Sequence, residues 1–359
     1  MIIPMDNEKP KMVSISVVLP VYNTSLTFLE EAIESILKQT FQDFELIIID
    51  DGSTGDIRNF LHSLQDSRIK VIRNSENIGI TKSLNIGFRE AKGKYIARMD
   101  SDDISLPNRL ERQYIYMETH PKVIVCGANV ECFGENTRHT KHQIKDMEAY
   151  RIKALFRNPG PMHPTAFFNR ELLLRYHILY DEEFQNAEDY GLWIEIIKYG
   201  EIHILSDELL RYREHSNQIS QAHRETQIKS VKKIQRKQLE QLVDEISEEE
   251  LDIHFRYGTW YCTDCKINKK MLEWFYRLMK ANEKKRIYDK KMFNHYVQYE
   301  IILRAVYQSF EPRMTFYQKT AFFLHNLPIS LVIKLWLGLI LRKCNNTLLK
   351  YPRKCYTLV

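Results

Sequence analysis

No Gly-x-Gly-x-x-Gly occurs in the 359 residues, and no Gly-x-x-x-x-Gly-Lys-Ser/Thr. The first motif turns a strand into a helix around a dinucleotide pyrophosphate and the second cradles nucleotide phosphates, so neither a dinucleotide fold nor a P-loop is encoded. The opening dozen residues lack the apolar run of a secretory signal and carry Pro4, Asp6, Glu8 and Pro10 instead. The expected location is therefore the cytoplasm. Cysteine is scarce, six in all, and without an export signal the thiols are expected to stay reduced. Cys262 and Cys265 make a single C-x-x-C with neither a second pair nor a histidine pair nearby, so they are read as packing and not as a zinc site. Residues 321–343 are apolar but broken by His325, Asn326, Pro328, Ser330 and Lys334, poor material for a span of ~20 apolar residues across a membrane.

Acidic side chains are missing from one region. Residues 312–359 hold Arg313, Lys319, Lys334, Arg342, Lys343, Lys350, Arg353 and Lys354 with no Asp or Glu, so the formal net charge of +5 is a property of the tail. Such a tail favours an anionic surface. Its interleaved Leu, Ile and Trp336 argue against nucleic acid, which calls for a polar basic stripe. Two readings of 321–343 stay open: an amphipathic element in peripheral contact with the inner face of the cytoplasmic membrane, or one packed on the body of the protein.

What is present reads as a folded α/β protein. Hydrophobic residues at 44% and charged residues at 28% are globular averages, and the length calls for a large domain plus a smaller appended region. Residues 13–19, 46–49, 69–72 and 95–99 are short β-branched runs that predict strands. Between them, 26–39, 56–64 and 81–91 space apolar residues by three and four, as helices do. Successive βαβ units follow, with a parallel sheet covered by helices. From about residue 222 the texture becomes Lys/Glu-rich and helical, over 226–243, 271–285 and 293–308. The predicted organisation is an N-terminal extension at 1–12, an α/β domain at 13–221, and a helical C-terminal region with a basic amphipathic tail at 222–359.

Open sheets of this kind bind ligands at the carboxyl ends of their strands. Here those ends read Pro20-Val21-Tyr22-Asn23, Asp50-Asp51-Gly52-Ser53 and Asp100-Ser101-Asp102-Asp103. Carboxylates packed as closely as the last group repel one another, and a hard cation such as Mg²⁺ or Mn²⁺ relieves that by taking their oxygens. The plain alternative is a solvated acidic loop capping a helix that starts near Pro107.

In order along the chain stand Ser16-Val17-Val18-Leu19-Pro20-Val21-Tyr22-Asn23, Asp50-Asp51-Gly52-Ser53, Asn77-Ile78-Gly79 and Asp100-Ser101-Asp102-Asp103. In that combination residues 13–220 resemble the family-two glycosyltransferases. The resemblance implies the GT-A fold, an αβα sandwich with a nucleotide-diphosphate sugar across the strand ends. It also implies inverting transfer of a hexose-type sugar, from a UDP-sugar for preference, to a saccharide or lipid-linked saccharide acceptor in surface polysaccharide or lipopolysaccharide synthesis. Tyr22 would pack on the nucleobase with Pro20 and Asn23 beside it, Asp50 and its neighbour Asp51 would serve the base, and Asp100 and Ser101 the ribose. Asp102 would hold the metal. Lys82 and Arg98 could approach the phosphates, although a basic residue at a helix start or strand end is commonly surface.

Further along, Met162-His163-Pro164-Thr165 leads into a strand, and Asn186-Ala187-Glu188-Asp189-Tyr190-Gly191 opens a helix. The resemblance makes Asp189 the catalytic base and Glu188 the group that orients the acceptor. A carboxylate suits the task, since it takes the hydroxyl proton only as the oxygen attacks. The plain alternative is that both acids favour the positive end of their helix. The segment Tyr212-Arg213-Glu214-His215-Ser216-Asn217-Gln218-Ile219-Ser220 resembles the family's R-x-H-S-x-x-x-S pattern, with Arg213 pairing with phosphate and His215 either hydrogen-bonding the diphosphate or serving as a second metal ligand, which would tilt the choice toward manganese. Two other readings use the same residues: an inactive nucleotide-sugar-binding scaffold subunit of an assembly complex, and a nucleotide-sugar hydrolase.

Overall fold

The structure, a computed structural model, describes residues 13–135, 137–215, 223–259 and 265–309. The extension at 1–12, residues 216–220 of the R-x-H-S segment, Cys262 and the basic tail lie outside the described residues. Contacts divide the chain into two compact units, 1–145 with 160–227, and 146–159 with 228–359.

In the first unit the expected alternation is present: β1 (Ile15–Val21), α1 (Leu26–Leu37), β2 (Phe44–Asp50), α2 (Gly55–Ser63), β3 (Ile69–Arg73), α3 (Ile80–Glu90) and β4 (Tyr95–Arg98). Helix α1 forms because Leu29, Ala32, Ile33 and Ile36 make one stripe, all buried against the sheet. β1 is buried along its whole length, as a central parallel strand covered on both faces must be. β1 pairs in parallel with β2 on one side and β4 on the other, and β2 pairs in parallel with β3. The order β3-β2-β1-β4 therefore reverses direction at β1/β4, which puts the ligand crevice of a doubly wound sheet at the carboxyl ends of those two strands.

Beyond β4 the sheet becomes mixed. After β5 (Ile104–Ser105) and α4 (Arg109–Thr119) come β6 (Val123–Gly134) with its partner β7 (Arg138–His139), then β8 (Phe167–Asn169), α6 (Arg170–Arg175), α7 (Glu188–Ile196) and β9 (Glu201–Glu214). Among the described residues the sheet runs β3-β2-β1-β4-β8-β6-β9-β5, with β7 on β6. The pairing of β5 with β9, Ile104 opposite Arg211 and Ser105 opposite Leu210, carries the end of β9 to the acidic turn after β4. This is the GT-A-like α/β architecture that the resemblance implies.

The second unit is helical: α5 (Met147–Ala154), most of α8 (Arg224–Leu242), then α9 (Glu248–Gly258), α10 (Lys269–Lys285), α11 (Lys290–His295), a π-helical turn at Tyr296–Ile302 and α12 (Leu303–Gln308). Ser247 and Glu250 close a capping box at the start of α9. The segment 146–159 falls in this unit and not in the α/β domain that encloses it in sequence. Ile152, Leu155 and Phe156 bury themselves with Leu239, Trp274 and Phe275, and that apolar patch decides its allegiance. Among the described residues no helix is long and apolar enough to cross a membrane. Cys126 and Cys132 are free and buried. Cys265 is disulfide-bonded, so the reading of it as a packing thiol in the reduced state is corrected there to a cross-link.

Candidate active site

The first rim of the crevice is built by the ends of β1 and β2. Pro20 belongs to β1 itself, opposite Ile49 and buried, which corrects its placement in the loop: the strand continues through Val21 because both of its faces are covered. Tyr22 follows with half of its surface exposed, at 50%. Asn23 adopts a left-handed φ of 46° and laces the two loops together: its N–H donates to Ser53 Oγ at 3.0 Å, and its Oδ1 accepts from the Thr54 N–H at 3.0 Å.

Asp50 closes β2 and is 2% exposed. One of its oxygens accepts from the Ser53 N–H at 2.8 Å and the other pairs with Arg73 from the end of β3. Asp51, equally buried, accepts from the Ile78 and Gly79 N–H groups at 3.0 and 2.9 Å and from Asn74 Nδ2 at 2.8 Å. Those three bonds shape the turn that starts α3, so the structure places Asp51 as a loop organiser. Gly52 sits between them at φ 81°, where an added Cβ would lie 2.7 Å from the Glu76 carbonyl carbon. Only glycine fits so close an approach. Lys82 stands exposed in the first turn of α3.

The second rim is the acidic turn. Asp100, Asp102 and Asp103 bring carboxylate oxygens within 4.8 Å of one another, and Ser101 Oγ meets Thr24 Oγ1 at 2.6 Å, tying the turn to the β1 loop. Burial and then the neighbouring Asp102 and Asp100 charges push the Asp103 carboxyl well above its ordinary range, while burial raises that of Asp100. Asp103 Oδ1 accepts the Arg213 N–H at 2.8 Å, and its Oδ2 is buried without a hydrogen-bond partner. A buried orphan oxygen inside a repelling triad fits an oxygen-ligated divalent cation. His215 completes the set from the end of β9, with Nε2 at 3.0 Å from Asp102 Oδ2. That hydrogen bond raises the imidazole's pKa above its ordinary value.

Arg213 does not present an open cation. Its guanidinium lies 4.1 Å from the Phe28 ring centroid and 4.5 Å from that of Phe133, its Nε donates to the Asp102 carbonyl at 2.7 Å, and it pairs with Glu31. It therefore fastens β9 to the acidic turn. Arg98 is likewise not a surface residue. It is 2% exposed and donates to Asp100. Burial works against its charge, but Asp100 and Glu188 outweigh that and leave its pKa above the ordinary value. Beneath it Arg109, wholly buried, donates to the Arg98 carbonyl at 2.6 Å.

The third side of the crevice is the start of α7. Glu188 and Asp189 both fall in its first turn. Asp189 is partly exposed, with its Oδ1 accepting the Tyr190 N–H at 2.6 Å. Glu188 is 8% exposed and its Oε2 is buried without a partner. Burial first, then the Asp189 charge, push its carboxyl up to about 7. The pair thus sets a partly exposed Asp189 beside a buried Glu188 that holds its proton near neutrality, the arrangement by which two like groups take different roles. Behind them His163 meets the Tyr180 hydroxyl at 2.7 Å.

Arg98 shows what the sequence could have disclosed. A charge inside a four-residue strand that is buried throughout has to have an acidic partner indoors. His163 and Tyr180, seventeen positions apart with no shared motif, carry no such local sign.

Comparison with known proteins agrees with this fold. The family profile described as Glycosyl transferase family 2 matches residues 16–176. An uncharacterised glycosyltransferase of Haemophilus influenzae is 31% identical over 248 residues, spanning 65% of this chain and 75% of the relative. The O-antigen biosynthesis glycosyltransferase WbnJ of Escherichia coli is 36% identical over 216 residues, 56% of this chain and 80% of the relative. Among solved structures, S. aureus TarS 1–349 in complex with UDP-GlcNAc superposes with a TM-score of 0.56 over 82% of this chain and 90% of that one, at 18% identity, a likeness of fold. A doubly wound sheet whose switch point carries an acidic triad, and relatives of this extent, together establish that the chain belongs to glycosyltransferase family 2.

Proposed function

We propose that this transferase moves a hexose-type sugar from a UDP-sugar to an acceptor hydroxyl, inverting the anomeric centre, in the synthesis of a bacterial surface polysaccharide. The observation that carries the reading is the acidic triad at the β1/β4 switch point, where a diphosphate would lie. The role of WbnJ in O-antigen synthesis supports the polysaccharide product, and the UDP-GlcNAc bound by TarS supports the donor.

In this reading Tyr22 stacks on the base, Asp50 with its Arg73 partner meets the base edge, and Asp100 and Ser101 face the ribose. Asp102, with Asp103 and His215 beside it, holds Mn²⁺ or Mg²⁺. When bound, such an ion offsets the charge on a departing diphosphate. Asp189 takes the acceptor proton as the hydroxyl oxygen attacks the anomeric carbon from the face opposite the diphosphate, which inverts configuration in one displacement. Glu188, buried beside it, orients the acceptor.

The test is transfer from UDP-GlcNAc with Mn²⁺ to candidate oligosaccharides, with the new linkage read by proton NMR. A β-linked product from the α-linked donor is expected; an α-linked product rules out the single displacement, and UDP release with free sugar alone favours the hydrolase.

A further inference from the structure

The reading above leaves His163 and Tyr180 without a role, yet both are placed with unusual care. His163 opens a 3-10 turn, His163–Thr165, anchored through Thr165: its Oγ1 donates to the Met162 carbonyl at 2.7 Å and accepts from the Ala128 N–H at 3.0 Å. Tyr180 is clamped from α3, where buried Asn85 donates to its carbonyl at 2.9 Å and accepts its N–H at 3.0 Å. The His163 ring stands edge-on to the buried Trp193, at 6.1 Å. Its Nε2 meets the Tyr180 hydroxyl at 2.7 Å, and its Nδ1 points to Glu188 Oε1 at 4.0 Å. That gap exceeds a hydrogen bond by about 1 Å, as is common where a catalytic contact closes only around substrate.

We propose that His163, backed by the Tyr180 hydroxyl, is a positioning residue that holds Glu188 in both of its protonation states by exchanging tautomers. This rests on the reading of Glu188 as the group that orients the acceptor. A neutral imidazole carries one N–H, and a tyrosine hydroxyl both donates and accepts. With Glu188 protonated, its O–H donates to Nδ1 while Nε2–H donates to the Tyr180 oxygen. With Glu188 ionised, Nδ1–H donates to the carboxylate and Tyr180 donates to Nε2. In the exchange the Glu188 O–H bond breaks, the Nδ1–H bond forms, and the proton lost to solvent is the one Nε2 carried; Tyr180 keeps its own. Beyond closing the 4.0 Å gap between Nδ1 and Glu188 Oε1 to hydrogen-bond length, no heavy atom has to move.

Burial, and then Arg98, hold the His163 imidazole well below its ordinary pKa, so it stays neutral throughout. The groups that set the Glu188 equilibrium are Asp189 on its own helix, Arg98 and Asp100 from the end of β4, and Tyr180 beside His163.

The experiment is nitrogen-15 NMR of the full chain labelled at histidine, with the His163 signals identified by their loss in His163→Gln. The expected result is a neutral ring whose protonated nitrogen changes from Nε2 to Nδ1 as pH rises from 5 to 9, and a ring fixed in one tautomer in Glu188→Gln. A native ring that keeps one tautomer throughout, or becomes an imidazolium, overturns the proposal. Turnover separates this from the donor assignment. If the native enzyme releases no UDP from UDP-GlcNAc with Mn²⁺, the donor reading fails while the tautomer result stands. If it does, Tyr180→Phe is expected to lower turnover by about tenfold to a hundredfold with the UDP-induced melting shift retained.

Discussion

Replacing Glu188 by glutamine tests the electrostatics of the crevice without any substrate. The carboxyl is raised from 4.5 to about 7 in the folded protein, chiefly by burial and then by Asp189. A group whose folded pKa lies above its unfolded value stabilises most below the unfolded pKa, and that contribution is lost as pH rises through the folded one. The window is therefore about 4.5 to 7. At about 1.4 kcal/mol per pH unit, an ionised Glu188 costs the fold about 3 kcal/mol at pH 8 and under about 1 kcal/mol at pH 5. Glutamine has the same shape and never ionises. For a unit of this size each kcal/mol moves the melting temperature by about 2–4 °C, so Glu188→Gln should melt about 6–12 °C above the native protein at pH 8 and within about 3 °C of it at pH 5. Scanning fluorimetry at the two pH values reads the difference. An equal difference at both, or a variant less stable at pH 8, refutes the assignment of Glu188 as a buried neutral acid.

Other substitutions separate binding, chemistry and framework. Asp189→Asn is expected to keep the fold and the UDP-induced melting shift while lowering transfer by about 10²–10⁴-fold; near-native turnover removes Asp189 from the mechanism. Asp51→Ala deletes an acceptor of three hydrogen bonds and leaves the Ile78 N–H without its acceptor, while the Gly79 N–H keeps Asn77 Oδ1 and Asn74 keeps Ser83 Oγ, a loss of about 1–3 kcal/mol read by thermal melting; an unchanged melting temperature contradicts its role as loop organiser. With His215 as a metal ligand and its pKa raised by the Asp102 contact, metal binding would displace a proton there, so Mn²⁺ affinity measured by calorimetry should weaken as pH falls through the His215 pKa and be less pH-dependent in His215→Gln. Truncation after Glu311 is expected to move the protein from membrane to soluble fractions at low salt, and a full-length protein that is soluble at low salt sinks the membrane reading.

The parallel half of the sheet was legible because β-branched runs and three-four spacing are local properties, and β1 to β4 fall within a residue or two of the runs that predict them. The acidic triad was legible too, since three of its carboxylates sit in one tetrapeptide. Roles that depend on distant partners were not. Nothing in its own segment announces the Phe28 and Phe133 rings beside the Arg213 guanidinium, or the Ile78 and Gly79 N–H groups that converge on Asp51. Residues 146–159 defect to the helical unit through burial of Ile152 and Phe156, which no pattern within that short segment announces.

The central claim is a metal-assisted nucleotide-sugar site at the acidic turn, and a melting-temperature screen against UDP-, GDP-, dTDP- and CMP-sugars with Mn²⁺, Mg²⁺ or EDTA tests it most directly. Ligand at one hundred times its dissociation constant stabilises by about 2.7 kcal/mol. The account predicts a rise with a UDP-sugar that needs the metal and is absent in Asp102→Asn; no rise with any donor in the presence of metal, or a rise indifferent to EDTA and to Asp102→Asn, contradicts it.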